Sequence, residues 1–340
     1  MGRATLPYMR TVTAQVATAL AICLAFSTAV DAQARKKIEA RPRQKTAAPP
    51  ARLPCGDLIG FQVRLDRQGF SSGQIDGTRG ANFTRTLSAF QAAHKLPAGQ
   101  PDCATWEALG AASAEPAITS YTVTEDDMKG PFEKKIPPKL VDQAKLSTLG
   151  YQSPMELIAE RFHTSPALIT QLNPGVTPAA GREIKVPAVT PFNAETKPAA
   201  DAAATDLTIQ VSKEESALRA TRADGTLVFY APVSSGSIHD PLPPGEFKVL
   251  GVGWHPVFHY NPDLFWDAKP ADEKAKIPAG PNNPVGVVWI SLNLEHYGIH
   301  GTPEPGRIGH TESHGCVRLT NWDAARVASL VKPGTPVLFK

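Results

Sequence analysis

The sequence predicts a multidomain chain: a small three-helix domain, an α+β module, and a mainly β domain of sandwich or barrel type. Its 340 residues suffice for two or three domains. Its 32 prolines favour linkers and turn-rich β structure over long helices. The hydrophobic pattern also changes along the chain, from helical spacing in the first third to short strand-like runs in the last third.

Residues 1–34 are typical of a secretory signal. Two arginines precede an apolar run over residues 16–30, and the small residues that follow suit cleavage after Ala32 or Ala34. The apolar run is shorter than the roughly 20 residues that a membrane-spanning helix needs, which disfavours the alternative of an uncleaved signal anchor. We therefore expect an exported chain that meets the membrane only through its signal segment.

The cysteine count predicts one disulfide and one free thiol. Of the four cysteines, Cys23 lies in the signal, so three remain after export into an oxidising compartment. Cys55 opens a small predicted domain and Cys103 begins its last helix, where a covalent link supports a core of limited size. We therefore predict a Cys55–Cys103 disulfide, which leaves Cys316 free.

A basic, proline-rich linker over residues 35–54 precedes a predicted three-helix domain over residues 55–112. "LIGFQVRLDRQGF" and "NFTRTLSAFQAAHKL" place apolar side chains about one helical turn apart, and "DCATWEALG" forms a third short helix. The blocks "LDRQGFSSGQIDG", "TLSAFQAAHKL" and "TWEAL" resemble the peptidoglycan-binding domain of the three-helix type. A generic three-helix bundle is the alternative.

Residues 121–189 read as strand, helix, helix, strand. "YTVTEDD" and "GREIKVPAV" are the strands, and the two short helices begin near Pro154 and Pro166. This order resembles the LysM glycan-binding module. The sequence departs from that module by an insertion at about residues 129–150, where the loop that meets glycan is expected. A purely structural LysM-like module is therefore the alternative.

After a second linker over residues 190–206, residues 207–340 are predicted to form one β-rich domain. Asp224-Gly225 is a strong hairpin signal between two strands. "NWDAARVASLV" is the one clear helix, with Asn321 as its predicted N-cap.

Cys316 in "SHGCVRL" is predicted to be a nucleophile. A thiol attacks as thiolate, so its pKa must be lowered by a base or a cation. Gly315, which has no side chain, leaves room for the substrate and lets backbone N–H groups donate to an oxyanion. A buried, unreactive thiol is disfavoured in an exported protein because it risks oxidation. A zinc site is disfavoured for two reasons. Only one cysteine accompanies the nearby histidines, and the H-E-x-x-H motif is absent. We expect no cofactor and no metal.

Two histidines are candidates for the base. His314 lies two residues before Cys316, so on a strand both side chains point to the same face. His300 is distant in sequence but precedes Gly301 on a predicted neighbouring strand. Spacing alone leaves both open.

The blocks "YGIHGT" and "SHGCVRL", with "PPGEFKV" and "IPAGPNNPVG" upstream, resemble the L,D-transpeptidase (YkuD-type) catalytic domain. The resemblance implies that Cys316 is the nucleophile, that His300 is the proton acceptor and donor, and that the Gly301 carbonyl orients His300. It also implies backbone oxyanion donors at Gly315. The substrate-side residues it implies are Arg318, His314 and Ser313, of which Ser313 is expected to hold the loop.

The implied reaction is attack on the third residue of a peptidoglycan tetrapeptide stem, with release of D-alanine and formation of a thioester. An amine then attacks the thioester. An amine of a neighbouring stem forms a 3→3 cross-link, and an amine of a wall-bound protein attaches that protein. Carbapenems are expected to acylate the same cysteine. Peptidoglycan is the expected partner of a monomeric, periplasmic enzyme, with a Gram-positive cell surface as the alternative location. A net charge of +3 gives no support to nucleic-acid binding. An L,D-carboxypeptidase and a non-catalytic wall-binding protein are the alternative functions.

Overall fold

The computed structural model describes residues 53–111, 115–202 and 204–340. The predicted signal over residues 1–34 and nearly all of the first linker lie outside the described residues. No helix in the described part is long and apolar enough to cross a membrane.

Three helices form the N-terminal domain: α1 (Leu58–Arg67), α2 (Ala81–Ala93) and α3 (Cys103–Ala108). The Asp57 and Asp102 carboxylates accept backbone N–H groups in the first turns of α1 and α3, which satisfies donors that a helix start leaves unpaired. Its core is aromatic and aliphatic, with the buried side chains Phe61, Leu65, Phe83, Leu87 and Phe90. A disulfide joins Cys55 to Cys103 across this domain, with 5.2 Å between their Cα atoms.

The next module has two antiparallel strands, β1 (Ile118–Thr122) and β2 (Glu183–Pro187), at its two ends. Between them lie α4 (Glu125–Lys129), α5 (Leu140–Gln143), α6 (Pro154–Arg161) and α7 (Pro166–Leu172). Ser153 and Ser165 cap α6 and α7, each followed by proline at the first helical position. The two predicted strands and the two predicted helices, α6 and α7, are present, and the insertion predicted at about residues 129–150 contains α5. The end of "YTVTEDD", predicted as strand, instead begins the additional helix α4.

The C-terminal domain is mainly β. Its strands are β3 (Leu207–Ser212), β4 (Ala217–Arg222), β5 (Leu227–Pro232), β6 (Ser234–Ser235), β7 (Gly245–Trp254), β8 (Phe258–Tyr260), β9 (Ala275–Ile277), β10 (Val288–Leu292), β11 (Gly298–His300), β12 (Val317–Arg318) and β13 (Pro336–Phe339). Nine of them form one sheet in the order β5-β4-β3-β13-β7-β10-β11-β12-β6, while β8 and β9 form a separate hairpin.

This nine-stranded sheet curls into a nearly closed barrel. The long strand β7 pairs with β13 through its first residues and with β10 through its later ones, so it belongs to both halves. The two outermost strands, β5 and β6, are separated in the chain by Val233 alone, which brings the edges of the sheet together. The interior is aliphatic and includes Ile209, Ile290 and Val337.

The helix of the C-terminal domain, α8 (Asn321–Leu330), contributes buried side chains to the same core. The prediction of Asn321 as its N-cap is wrong by one residue, because the Thr320 hydroxyl accepts the Asp323 N–H. The Asn321 side chain is engaged elsewhere: its Oδ1 accepts the Val287 N–H at 3.2 Å and its Nδ2 donates to the Pro281 carbonyl at 3.0 Å.

The three parts are packed against one another. Ser71 N–H donates to the Tyr230 carbonyl at 2.8 Å, and Tyr230 N–H donates to the Gly69 carbonyl at 2.9 Å, so the helical domain extends the edge of the barrel. The Ser71 hydroxyl also donates to Asp323 at 2.9 Å. The helical domain meets the α+β module at Ile75, whose N–H donates to the His163 carbonyl.

Candidate active site

The two short strands β11 and β12 bring the predicted nucleophile and base together. They pair in parallel, with Ile299 opposite Val317 and His300 opposite Arg318. Cys316 immediately precedes β12, and it is the free cysteine among the described residues. A pocket of about 620 Å³ is lined by Cys316, His300 and Arg318 together. Residues far apart in sequence therefore share one cavity.

His300 is buried and held in one orientation. Its Nδ1 lies 2.7 Å from the Gly301 carbonyl oxygen. A carbonyl only accepts hydrogen bonds, so Nδ1 carries the proton and Nε2 of the neutral ring keeps its lone pair. The Trp289 ring stacks on the imidazole with 5.4 Å between centroids and 17° between planes. This histidine therefore has a base nitrogen fixed in place.

Burial sets the protonation of both groups. It lowers the pKa of His300 to about 4, although the Gly301 carbonyl raises that pKa, and the Arg318 charge lowers it further. Burial raises the pKa of the Cys316 thiol to about 11, against the opposing effects of the Gly298 N–H and the Arg318 charge. At neutral pH the resting pair is therefore a thiol and a neutral imidazole, so a thiolate would form only by transfer of the thiol proton to a base.

The loop before Cys316 is fixed by Ser313. The Gly236 N–H donates to its Oγ at 2.7 Å, and that hydroxyl donates to the Cys316 carbonyl at 2.5 Å. Gly315 has a φ of +95°, and a Cβ there would lie 2.7 Å from the Tyr297 ring. The turn thus requires glycine at position 315, because of both its positive φ and the lack of room for a Cβ. Ser313 holds this turn through hydrogen bonds to backbone groups.

Arg318 brings positive charge to the pocket. Its guanidinium donates to the Glu312 carbonyl and to the Thr311 hydroxyl. Its Nε is buried and has no hydrogen-bond partner among the described residues. Burial lowers the pKa of the guanidinium, which stays charged because arginine does not lose its proton in proteins. A cation in this position suits a substrate carboxylate.

His314 is turned toward the segment between β8 and β9. Its Nε2 lies 2.9 Å from Asp267 Oδ1, and its ring centroid lies 5.0 Å from that of Phe265. One of its ring nitrogens is therefore already engaged with a carboxylate. The geometry separates the two histidines that sequence spacing left open.

Of the other two histidines near Cys316, His296 also lines the pocket of about 620 Å³, whereas His310 lies in a different cleft. The His296 carbonyl accepts the Cys316 thiol at 3.5 Å, while its ring lies near Glu295. His310 lines a small cleft against the helical domain. Within residues 53–111, 115–202 and 204–340, no group of three or more His, Cys, Asp or Glu side chains is arranged to hold a metal ion.

Sequence reasoning missed two residues that shape the site from behind. Trp289 stacks on His300 from the neighbouring strand β10. The Asn321 amide lies against two glycines. A Cβ on Gly286 would lie 2.0 Å from Asn321 Oδ1, and a Cβ on Gly301 would lie 2.1 Å from it. The signal for the second contact was present in the glycines of "NPVG" and "IHGT", which mark a close approach of another group.

Comparison with known proteins gives two family matches. The model described as "L,D-transpeptidase catalytic domain" matches residues 206–338, which include His300 and Cys316. The model described as "Putative peptidoglycan binding domain" matches residues 57–109, which span α1 to α3.

Solved structures show weaker likeness. An L,D-transpeptidase of Enterococcus faecium is 20% identical, with 40% of this chain and 50% of that chain covered and a TM-score of 0.31. One from Mycobacterium smegmatis is 17% identical, with 50% and 78% covered and a TM-score of 0.33. At such scores the likeness carries no argument about this site.

Curated relatives are closer in sequence. The "Putative L,D-transpeptidase YkuD" of Bacillus licheniformis is 32% identical over 186 residues, which are 54% of this chain and 91% of that protein. Its counterpart in Bacillus subtilis is 29% identical, with 53% and 89% covered. The "Probable L,D-transpeptidase YbiS" of Escherichia coli is 27% identical, with 59% and 65% covered. With the catalytic-domain match, these relatives show that the chain belongs to the L,D-transpeptidase family of acyltransferases, and the second family match shows that it also carries a peptidoglycan-binding domain.

Proposed function

We propose that this chain is an exported L,D-transpeptidase in which Cys316 is the nucleophile and His300 is its base, acting on peptidoglycan tetrapeptide stems through a thioester. One observation carries the proposal. The His300 Nδ1 proton is committed to the Gly301 carbonyl, which leaves Nε2 as the basic nitrogen of a histidine that lines the same pocket as the free thiol. Histidine next to cysteine is the arrangement that activates a thiol for acyl transfer.

In the first step, the Cys316 sulfur forms a bond to the carbonyl carbon of the stem's third residue. The thiol proton passes to His300 Nε2, and the carbonyl oxygen becomes an oxyanion near the backbone N–H groups of Gly315 and Cys316. The carbon–nitrogen bond to D-alanine then breaks, and His300 returns its proton to the leaving amine. The product is a thioester with a neutral imidazole.

In the second step, an amine attacks the thioester carbonyl and gives a proton to His300. The carbon–sulfur bond breaks, and the sulfur recovers a proton from the imidazolium. An amine from a neighbouring stem forms a 3→3 cross-link, and a wall-bound protein amine forms an attachment. Water as acceptor would make the enzyme an L,D-carboxypeptidase, the second candidate activity.

The neutral resting pair supports this order of events. Because the pKa of the thiol lies near 11 and that of the imidazole near 4, a thiolate forms only as the carbon–sulfur bond forms. The Arg318 charge favours the anionic sulfur and is available to a stem carboxylate. Ser313 holds the turn, and His314 lies on the substrate side of the pocket.

The N-terminal parts are assigned to wall binding. Residues 55–112 serve as the peptidoglycan-binding domain, and residues 121–189 as a LysM-like module after the linker over residues 35–54. We assign residues 190–206 as the linker to the catalytic domain over residues 207–340. With the signal over residues 1–34, we propose that the enzyme is exported to the periplasm and acts there as a monomer.

Product analysis tests the proposal. Mass spectrometry of a defined tetrapeptide incubated with the parent chain is expected to show loss of D-alanine and, with an added amine, the acyl-transfer product. Cys316→Ala abolishes both products and the covalent adduct with a carbapenem. Tripeptide as the sole product would favour the carboxypeptidase, and an active Cys316→Ala would refute cysteine catalysis.

The base is tested by two matched variants. His300→Ala is expected to lower the rate of acylation at least about 100-fold, because general base catalysis supplies factors of that order. His314→Ala is expected to cost about tenfold or less. Equal and complete loss in both variants would contradict the assignment of His300.

A further inference from the structure

The insertion over residues 129–150 packs on the catalytic domain. Leu149 is fully buried in a cluster with Tyr260 and Ile277, which belong to the β8–β9 hairpin. Other apolar side chains of the insertion pack against this cluster: Ile136, Leu140, Ala144 and Leu146. Five apolar side chains of the segment that interrupts the LysM-like pattern therefore pack against the β8–β9 hairpin of the catalytic domain.

Backbone hydrogen bonds lock the insertion in place. Leu149 N–H donates to the Ala279 carbonyl at 2.9 Å, and Asn282 N–H donates to the Leu149 carbonyl at 2.9 Å. Gly280 has a φ of +145°, and a Cβ on it would lie 2.2 Å from the Leu149 carbonyl oxygen. The Asn282 amide also donates to the Gly150 carbonyl and to Glu156 in α6. The backbone at residues 149–150 therefore lies close to the backbone at residues 279–282 and is fixed there by several hydrogen bonds.

The hairpin that the insertion supports forms one side of the active-site pocket. Phe258, Leu264 and Phe265 line the pocket from the hairpin and its connection, and Leu140 of α5 lines it from the insertion. Arg318 and Cys316 line the same pocket. The pocket thus combines apolar side chains of the insertion and the hairpin with a cation and a thiol of the predicted catalytic motif.

The same connection also reaches the catalytic loop. Asp267 holds His314 at 2.9 Å, and the Trp266 ring stacks on His239 with 4.1 Å between centroids. Displacing the hairpin would therefore move groups that touch the loop before Cys316. The insertion, the hairpin and the loop form one connected structure.

We propose that the insertion over residues 129–150 contributes Leu140 to the substrate pocket, and that Leu140 is a specificity-determining residue that contacts the aliphatic portion of the bound acyl chain. The identity of that chain as a stem peptide rests on the proposed function. A stem peptide combines carboxylates with methyl and methylene groups. Such a chain fits a pocket that is lined by both a cation, Arg318, and a leucine, Leu140.

The test compares Leu140→Ala with Leu146→Ala. Both leucines belong to the insertion and pack on the same cluster, but Leu140 lines the pocket and Leu146 is not among its lining residues. Leu140→Ala is expected to raise KM for the tetrapeptide about tenfold, because a leucine truncation removes much of one apolar contact, with kcat changed less than about threefold. Leu146→Ala leaves KM within about twofold of the parent.

A second readout does not depend on the natural substrate. The rate of Cys316 alkylation by N-hexyl iodoacetamide, divided by the rate with iodoacetamide, reports contact with an aliphatic chain. This ratio is expected to fall about fivefold in Leu140→Ala and to stay at the parent value in Leu146→Ala. An unchanged ratio in Leu140→Ala overturns the apolar contact, whatever the parent does with tetrapeptide.

The two readouts keep the two proposals apart. A parent chain that leaves tetrapeptide intact, while the alkylation ratio falls in Leu140→Ala, refutes the proposed substrate and supports the apolar contact. If Leu140→Ala lowers the alkylation ratio but leaves KM for the tetrapeptide unchanged, contact between Leu140 and the stem peptide is refuted. Equal losses in both leucine variants, accompanied by equal drops in melting temperature, would show that the insertion acts only on stability.

Discussion

Alkylation of Cys316 is expected to be slow at neutral pH and to accelerate in strong base. With a pKa of about 11, against an ordinary value of 9.0, the thiolate fraction at pH 7 is about 100-fold lower than for the same thiol in water. Iodoacetamide reacts with thiolate, so its rate constant should rise about tenfold per pH unit from pH 7 to pH 10. Peptide mass spectrometry after timed quenching measures this rate at Cys316 itself.

The His300→Ala variant supplies the control. If the resting pair is neutral, removing the imidazole leaves the alkylation profile close to that of the parent, even though acyl transfer is lost. If the resting pair were a thiolate and an imidazolium, the parent profile would level off below about pH 8 and the variant would lose that plateau. A plateau of this kind in the parent would refute the neutral-pair reasoning.

Two further predictions concern the support of the site and its stability. Gly301→Ala should abolish acylation because its Cβ would lie 2.1 Å from Asn321 Oδ1, whereas Gly251→Ala, whose Cβ meets nothing within 4 Å, should keep parent rates in the tetrapeptide assay. Burial raises the pKa of Glu160 to about 8 and that of Asp323 to about 7, so the folded chain binds protons that the unfolded chain has released above about pH 4.5. The free energy of unfolding from urea titration should therefore fall as pH rises from 5 to 8, and a Glu160→Gln variant with the same slope as the parent would contradict this.

Much of the local structure could be predicted because its causes are local. The helices predicted to start near Pro154 and Pro166 do so, each capped by the serine before the proline, and Asp224-Gly225 lies in the turn of the predicted hairpin between β4 and β5. The cysteine count also identified Cys316 as free, since it needed only export and the position of the other cysteines. These inferences depend on neighbours in sequence or on simple counting.

The choice between His300 and His314 could not be made from spacing because its cause is not local. It depends on the parallel register of two very short strands, on a carbonyl that sets the tautomer, and on Trp289 from a third strand. Likewise, Asn321 looked like a helix cap, but its amide is used by backbone groups of residues 281 and 287. A polar residue at a helix start has two possible uses, and only the tertiary structure selects one.

The insertion at residues 129–150 shows why a departure from an expected pattern can be informative. Interpreted within its own module, it appears as an interruption of the loop that would meet glycan. Its composition argues otherwise, since the apolar residues of "IPPKLVDQAKLSTLG" need a partner surface that the small two-stranded module does not provide. The catalytic hairpin supplies that surface, and the Gly280 backbone accepts Leu149 at a distance that no side chain would permit. A segment whose burial depends on the neighbouring domain restrains that domain in return, which is why we expect its effect in the catalytic pocket.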